Sequence, residues 1–486
     1  MSGNLEIQLL ILGALLLVSI LVSKISDRFG VPTLLLFLFI GMLAGSDGPG
    51  GLYFDNAVVA QAVGVICLAI ILFSGGLDTD WQSIRPVLKP GVILALVGVL
   101  LTALIVGFAA FYFFDITLLE GLLVGAIVSS TDAAAVFSIL RSRGVSLKGQ
   151  LRPLLELESG SNDPMAIFLT VGVIQLLLNP GLSPLQLFPM FLQQMGIGAL
   201  VGLLMGWLAV RLINRINLGY DGLYPVLTLA VALLTYSLAG ALRGSGFLAV
   251  YLAGLVMGNS EFIHRRSMLR FFDGLAWLMQ IAMFLTLGLL VFPSRLVSVA
   301  GQGLLIAAIL MFVARPLGVF ISLLPVRLRL TEKVFVAWVG LRGAAPIVLA
   351  TFPLLAGISQ SDIIFNLVFF VVLTSVLIQG PSIPIVARWL GLDAPIRPKR
   401  IDPIEPGPVE GERGKLRELV IPAGSRFAGK RIVDLGLPVN LLVILIDRDG
   451  EYIIASGGTE LQAEDRLLVI SDDEAFRQVE SQLSSA

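Results

Sequence analysis

Charge is scarce in this chain, and two residue types that much enzyme chemistry relies on are almost missing. Its 486 residues include one cysteine, Cys67, and one histidine, His264. A lone cysteine excludes an intrachain disulfide and any CxxC motif, and no zinc-binding spacing or cysteine–histidine pair is present. His264 lies in the basic loop FIHRRS and reads as an ordinary surface histidine. Charged residues make up 14% of the chain and the net charge is -1, which gives no electrostatic footprint for a nucleic-acid partner. Hydrophobic residues make up 56%, with a mean hydropathy of +0.93. That is too apolar for a soluble protein and predicts a polytopic membrane protein.

The few charges are unevenly spread: 29 of the 67 fall after residue 390. The chain therefore divides into a membrane part, 1–390, a linker rich in proline and charge, 391–414, and a small domain, 415–486. In the last part, NLLVILI, EYIIA and DRLLVI read as strands separated by turn signals, and DDEAFRQVESQL as a closing helix capped by Asp472 or Asp473. Such a small α+β domain is marginal alone and is expected to pair with a copy of itself.

Windows of about 20 apolar residues mark bilayer-crossing helices, and about thirteen are found before residue 390. They fall near 5–23, 31–45, 56–76, 88–114, 118–140, 151–178, 184–213, 223–242, 246–259, 268–292, 297–324, 332–356 and 362–388. The first lacks a basic leader and a small-residue cleavage site, so it reads as a retained span. One set of alternate loops holds 16 basic residues, from Lys24 to Lys333, and the opposite set holds only Arg243 and Arg295. This bias predicts a cytoplasmic C-terminus and a periplasmic N-terminus. The stripe Gly198, Gly202, Gly206 suits close helix packing, within one chain sooner than between two.

Carboxylates inside two of these windows carry the functional reading. Asp132 follows Ser129, Ser130 and Thr131, and Glu158, Asn162 and Asp163 lie in LLELESGSNDPMAIF. A charge at such depth costs several kcal/mol, and it ordinarily marks an ion or proton pathway. Glu158 shares a helix face with Asn162, and Ser159 with Asp163. Pro164 removes one backbone hydrogen bond and frees a carbonyl a turn earlier. Oxygen ligands of this kind suit a hard cation. Asp163 and Asp132 are thus expected to exchange a small cation for protons. The late run VGLRGAAPIVLAT places Gly340, Arg342, Gly343 and Pro346 in a matching window, the pointer to inverted repeats with broken helices. Arg342 needs a partner unless it snorkels, and Glu158 is the expected one. Arg315 receives no partner and reads as structural.

SSTDAAAV, ESGSNDP and GLRGA, in that order, resemble the NhaP-type monovalent cation/proton antiporters, part of the cation:proton antiporter-1 group. The resemblance covers roughly residues 5 to 390. It implies a homodimer, crossed broken helices and an elevator-like movement of the core. It also implies that Asp163 alternately holds the cation, potassium or sodium, and protons, with Thr131, Ser159, Asp132 and Asn162 around it and Glu158 paired with Arg342. Related electrogenic exchangers carry an acid where this chain has Asn162, so the chain is similar to the electroneutral class.

VIPAGSRFAGKRI, DRDGEYI and GGTELQAEDRLLVI resemble the C-terminal lobe of the regulator-of-potassium-conductance domain. Joined to an NhaP-like membrane domain, that lobe implies a bacterial inner-membrane potassium/proton antiporter linked to volume regulation. It also implies a possible nucleotide or other small ligand on the lobe, although no phosphate-cradling glycine loop is evident. No other cofactor is expected. A channel is disfavoured because Thr170-Val171-Gly172-Val173 lacks the rest of a potassium filter. An intramembrane aspartyl protease is disfavoured because neither aspartate lies in a GxGD context.

Overall fold

Nearly every apolar window folds as a helix bounded by glycine, proline or a polar cap. The computed structural model describes residues 5–29, 32–395, 415–422, 424–425, 427–448 and 451–484. Beyond residue 395 the expected linker lies outside the described residues. The chain separates into two units, Met1–Ile396 and Arg397–Ala486.

The first unit opens with α1 (Leu5–Phe29), α2 (Thr33–Ala44) and α3 (Ala57–Asp78). A long segment follows, built from α4 (Trp81–Ile84), α5 (Leu88–Ile93), a π-helical turn over Leu94–Gly98 and α6 (Val99–Phe113). The next span is broken into α7 (Leu118–Ile127) and α8 (Ala133–Ser142). After strand β1 (Val145–Leu147) come α9 (Leu151–Leu178), α10 (Leu187–Arg215), α11 (Leu223–Ala241), α12 (Gly246–Gly258), α13 (Arg265–Leu290) and the short α14 (Pro293–Ser298). The pattern of the first half then returns. Helix α15 (Ala300–Ile309), a π turn over Leu310–Ala314 and α16 (Arg315–Ser322) precede a second broken span, α17 (Leu330–Trp338) and α18 (Ala345–Leu355), and an unbroken α19 (Ser361–Trp389). Strand β2 (Asp393–Pro395) closes the unit by pairing antiparallel with β1, Ser146 opposite Ala394.

Nine helical segments among the described residues are long and apolar enough to cross a membrane. The two broken pairs and the short apolar helices α2 and α12 account for the other expected spans.

Local chemistry explains several of these boundaries. The Thr117 hydroxyl accepts from the Glu120 amide while the Glu120 carboxylate takes the Thr117 N–H, a capping box that starts α7. Pro316 has no N–H for the carbonyl of Phe312, and the defect lies in the π turn over 310–314. Proline does not break α9, which runs through Pro164 without interruption. The break of the first half falls instead at 128–132.

Small residues let the helices cross closely, as membrane interiors favour. A Cβ at Gly41 would meet Gly288 Cα at 2.9 Å, and one at Gly76 would meet Leu255 N at 2.9 Å. The stripe Gly198, Gly202, Gly206 packs on Ser245, the N-cap of α12, and on Ala249 and Ala253 within it, in the same chain.

In the second unit, β3 (Lys415–Val420), β4 (Leu441–Arg448), β5 (Glu451–Ile454) and β6 (Arg466–Ser471) form an antiparallel sheet in the order β3-β6-β4-β5. The strands meet the sequence pattern, and Asp472 caps the closing helix α20 (Asp473–Ser484) by accepting from the Ala475 N–H at 2.8 Å. Alternate residues Leu441, Val443, Leu467 and Val469 join Val479 and Leu483 in one core. The other face leaves Val420, Leu442 and Ile470 exposed.

Candidate functional site

The two broken spans and the unbroken helix that follows each of them build one polar centre. The breaks are hydrogen-bonded to each other: the Asp132 N–H donates to the Leu341 carbonyl at 2.8 Å. Asp132 also caps α8, one carboxylate oxygen accepting from the Ala135 N–H at 3.1 Å. A carboxylate there answers the unpaired N–H groups and positive end of the half-helix. Its other flank fills the space beside Gly343, where a Cβ would lie 2.7 Å from Asp132 Cβ. Glycine at 343 is thus required by the close approach of that carboxylate.

Arg342 does the complementary work at the end of α7. Its guanidinium donates to the carbonyls of Ser129, at 2.8 Å, and Ser130, at 2.5 Å. Those carbonyls follow the last turn of α7, where a helix leaves acceptors without partners and its negative end faces the break. The acid at one half-helix start and the cation at the other's finish neutralise both ends within the crossing.

The expected pairing of Glu158 with Arg342 is overturned. Glu158 pairs with Arg315, Nη1 to Oε1 at 2.6 Å, and both side chains are at most 2% exposed. Arg315 leaves α16 directly after the π turn and lies along Gly340, where a Cβ would sit 2.8 Å from its Nε. It also donates to the Val336 carbonyl at 3.3 Å. Arg315 reaches Glu158 through the side of the second break, and Arg342 is held by the carbonyls of the first.

Helix α9 supplies the remaining residues. Ser159 accepts from the Ala133 N–H at 3.0 Å and donates to the Thr131 carbonyl at 3.2 Å. Asn162 donates from Nδ2 to Thr131 Oγ1 at 2.6 Å and to the Thr131 carbonyl at 3.3 Å. Asp163 is buried at 8% exposure, with Asp132 and the Ser130 hydroxyl as the polar groups that face it. The structure thus brings Thr131, Asp132, Ser159, Asn162 and Asp163 together. Within the first break and α9, the buried oxygens Ser130 Oγ, Glu158 Oε2 and Asn162 Oδ1 close no hydrogen bond of ordinary geometry. Buried polar atoms without partners cost about 1–3 kcal/mol each, and oxygens left open beside a carboxylate are the donor set a hard cation takes. The residues present offer oxygen donors alone, which fits a hard cation. No His/Cys/Asp/Glu cluster of the transition-metal kind exists among the described residues.

Sequence reasoning missed the matching contacts of the second break. There the Ser375 hydroxyl accepts from the Arg342 N–H at 3.3 Å and donates to Gln379 Oε1 at 2.6 Å. Gln379 in turn donates to the Trp338 carbonyl at 2.8 Å. Their signal was a polar pair four residues apart in an apolar helix.

Comparison with known proteins assigns a family to each unit. Residues 13–389 match the sodium/hydrogen exchanger transmembrane family, and residues 416–484 match the TrkA-C domain. The K(+)/H(+) antiporter NhaP of Alkalimonas amylolytica is 41% identical over 99% of this chain and 84% of its own length. The K(+)/H(+) antiporter NhaP2 of Shewanella baltica is 42% identical, with 100% and 84% covered. Among solved structures, the sodium proton antiporter MjNhaP1 of Methanocaldococcus jannaschii superposes with a TM-score of 0.69 at 26% identity, over 80% of this chain and 99% of that one. Both motif resemblances in the sequence are thereby met, one in each unit. The chain belongs to the sodium/hydrogen exchanger family, as a multi-pass membrane transporter that carries a C-terminal TrkA-C domain.

Proposed function

We propose that this protein is an electroneutral potassium/proton antiporter, driven by existing ion gradients, in which Asp163 holds either a cation or a proton. The observation that carries potassium is the likeness, over both units of this chain, to proteins named K(+)/H(+) antiporters. The site supports one-for-one stoichiometry. Asn162 cannot titrate and gives its amide N–H to Thr131, and Asp132 is engaged as a helix cap. Asp163 is then the acid free to change partner, and one carboxylate that binds either ion moves no net charge per cycle. Thr131, Ser159 and Asp132 would supply further oxygens for the cation, and Glu158 with Arg315 would hold the core's charge balance.

The basic loops favour a periplasmic N-terminus and a cytoplasmic C-terminus in a bacterial inner membrane. The TrkA-C domain would regulate exchange, through a ligand or through pairing with a second copy. Its small size and the exposed Val420, Leu442 and Ile470 favour a homodimer. Sodium is the second reading, favoured by the likeness to MjNhaP1 and by 31% identity over 80% of the chain to the Na(+)/H(+) antiporter ApNhaP of Aphanothece halophytica.

The test is proton flux in vesicles with a preset pH gradient, on adding potassium or sodium with the membrane potential clamped and then free. A potassium response that ignores the potential is expected. A response to sodium alone would replace the cation, and potassium current without proton movement would sink the antiporter reading.

A further inference from the structure

Glu156, Gly160, Asp163 and Ile167 recur at helical spacing and share one face of α9. Glu156 marks the outer end of that face: it is 27% exposed and holds Arg152 at 2.8 Å. Asp163 lies two turns deeper, about 10 Å along the axis. Gly160, between them, has no side chain, and the ring of Tyr251 from α12 fills the gap. A Cβ at Gly160 would lie 2.5 Å from Tyr251 Cζ and 2.8 Å from its hydroxyl oxygen.

Tyr251 is 3% exposed, yet its hydroxyl closes no hydrogen bond of ordinary geometry. The Thr79 side chain, at the end of α3, lies beside it, and the Glu156 charge is near enough to act on it. Phenylalanine would pack here without an unpaired hydroxyl, so packing alone does not account for tyrosine. On the other side of the contact, Pro164 deprives the Gly160 carbonyl of its helical donor. A hydroxyl without a well-formed hydrogen bond and an under-used carbonyl therefore flank the line from Glu156 to Asp163.

We propose that Tyr251 gates Asp163 from the Glu156 side: its ring on Gly160 shuts the passage, and swinging off Gly160 opens it past two oxygen groups. Gly160 is the seat that lets the ring close against bare backbone. The assignment rests on Asp163 being the ion-holding acid, but it concerns access and can be tested without transport.

In a Cys67→Ala background, Asp163→Cys serves as a reporter for a small cationic methanethiosulfonate applied to full-length protein in sealed vesicles of each orientation. With Tyr251 present, labelling from the Glu156 side is expected to be slow. Tyr251→Ala is expected to speed it by about tenfold or more, a barrier change of about 1.4 kcal/mol, with no change from the opposite side. Tyr251→Phe keeps the ring and should stay within about twofold (about 0.4 kcal/mol). Gly160→Ala pushes the ring off its seat and should accelerate labelling as well, so the proposal does not depend on one variant folding. Parental rates in both the Tyr251→Ala and Gly160→Ala proteins, or equal acceleration from both sides, would overturn the gate. If labelling follows the ring while the native protein exchanges no cation, the gate stands and the exchange reading fails.

Discussion

Removing Glu158 alone should do more harm than removing it together with Arg315. The two charges meet at 2.6 Å with at most 2% exposure, and the second carboxylate oxygen, Glu158 Oε2, and Arg315 Nε have no hydrogen-bond partner. Glu158→Gln leaves a guanidinium buried without its counter-charge, and Arg315→Met does the reverse to the carboxylate. Each should cost about 3–5 kcal/mol, whereas replacing both by groups of similar volume can be nearly neutral. The coupling energy of a double-mutant cycle is then about 6–10 kcal/mol, well above the roughly 0.5–3 kcal/mol that contacting residues usually show. At roughly 2 °C per kcal/mol for a large domain, each single variant should melt about 6–10 °C below the parent and the double variant within a few degrees of it. Thermal unfolding in detergent, followed by loss of the monodisperse peak, reads this directly. A parallel cycle on Glu158 and Arg342 discriminates the pairings. Additive losses for Glu158 with Arg315, together with strong coupling to Arg342, would refute the argument.

Further expectations come from single contacts. Asp163→Asn should lower exchange by at least about a hundredfold, since general loss of a proton-carrying group costs that much; near-native flux in proteoliposomes would remove Asp163 from its role. Gly343→Ala drives a methyl into the Asp132 carboxylate and should cost about 1–3 kcal/mol of stability by overpacking, read as a lowered melting point; an unchanged one would mean the crossing has slack. In the C-terminal unit, burial works to push the titration of Asp465 toward higher pH, but hydrogen bonds from Arg448, at 2.8–2.9 Å, and from the Gln462 N–H outweigh it and hold the carboxyl below its usual range. The folded value then lies below the unfolded one of about 3.9. This contribution is complete at neutral pH and is lost only as pH falls through the lower, folded value. Hydrogen exchange of β4 and β6 in the intact protein should therefore be insensitive to pH-linked opening between pH 5 and 8. Arg448→Met should destabilise the unit by about 1.5–3 kcal/mol, and equal protection in the variant would contradict the role given to the pair.

The parts of the site that could be read in the sequence were those that violate a rule of membrane solvation. Asp132, Glu158, Asn162 and Asp163 stand out because apolar helices ordinarily exclude them. The glycines of GLRGA signalled a break for a similar reason. Partner choice was not legible. Two arginines, Arg315 and Arg342, lie in neighbouring apolar windows, and which one reaches Glu158 depends on how α16 crosses α9. The demand of α7's C-terminal carbonyls for a cation was a usable signal for Arg342, but it becomes visible only once the span is known to break at 128–132. Pro164 misled in the other direction, since α9 absorbs it while the neighbouring span breaks. Ser375 and Gln379 stayed hidden because a polar pair in a buried helix has many innocent uses.

The hydrogen bond between the Asp132 N–H and the Leu341 carbonyl, and the fit of the Asp132 carboxylate against Gly343, have a consequence for how this chain can vary. Neither half of the pseudo-symmetric core owns its own crossing. A larger residue at 343 has no room unless position 132 retreats, and a shift of the first break pulls on the second through the Arg342 contacts to Ser129 and Ser130. Tolerated changes should therefore arrive as matched pairs, one in each half. A library randomised at 132 and 343 together should yield functional combinations that neither position yields by itself.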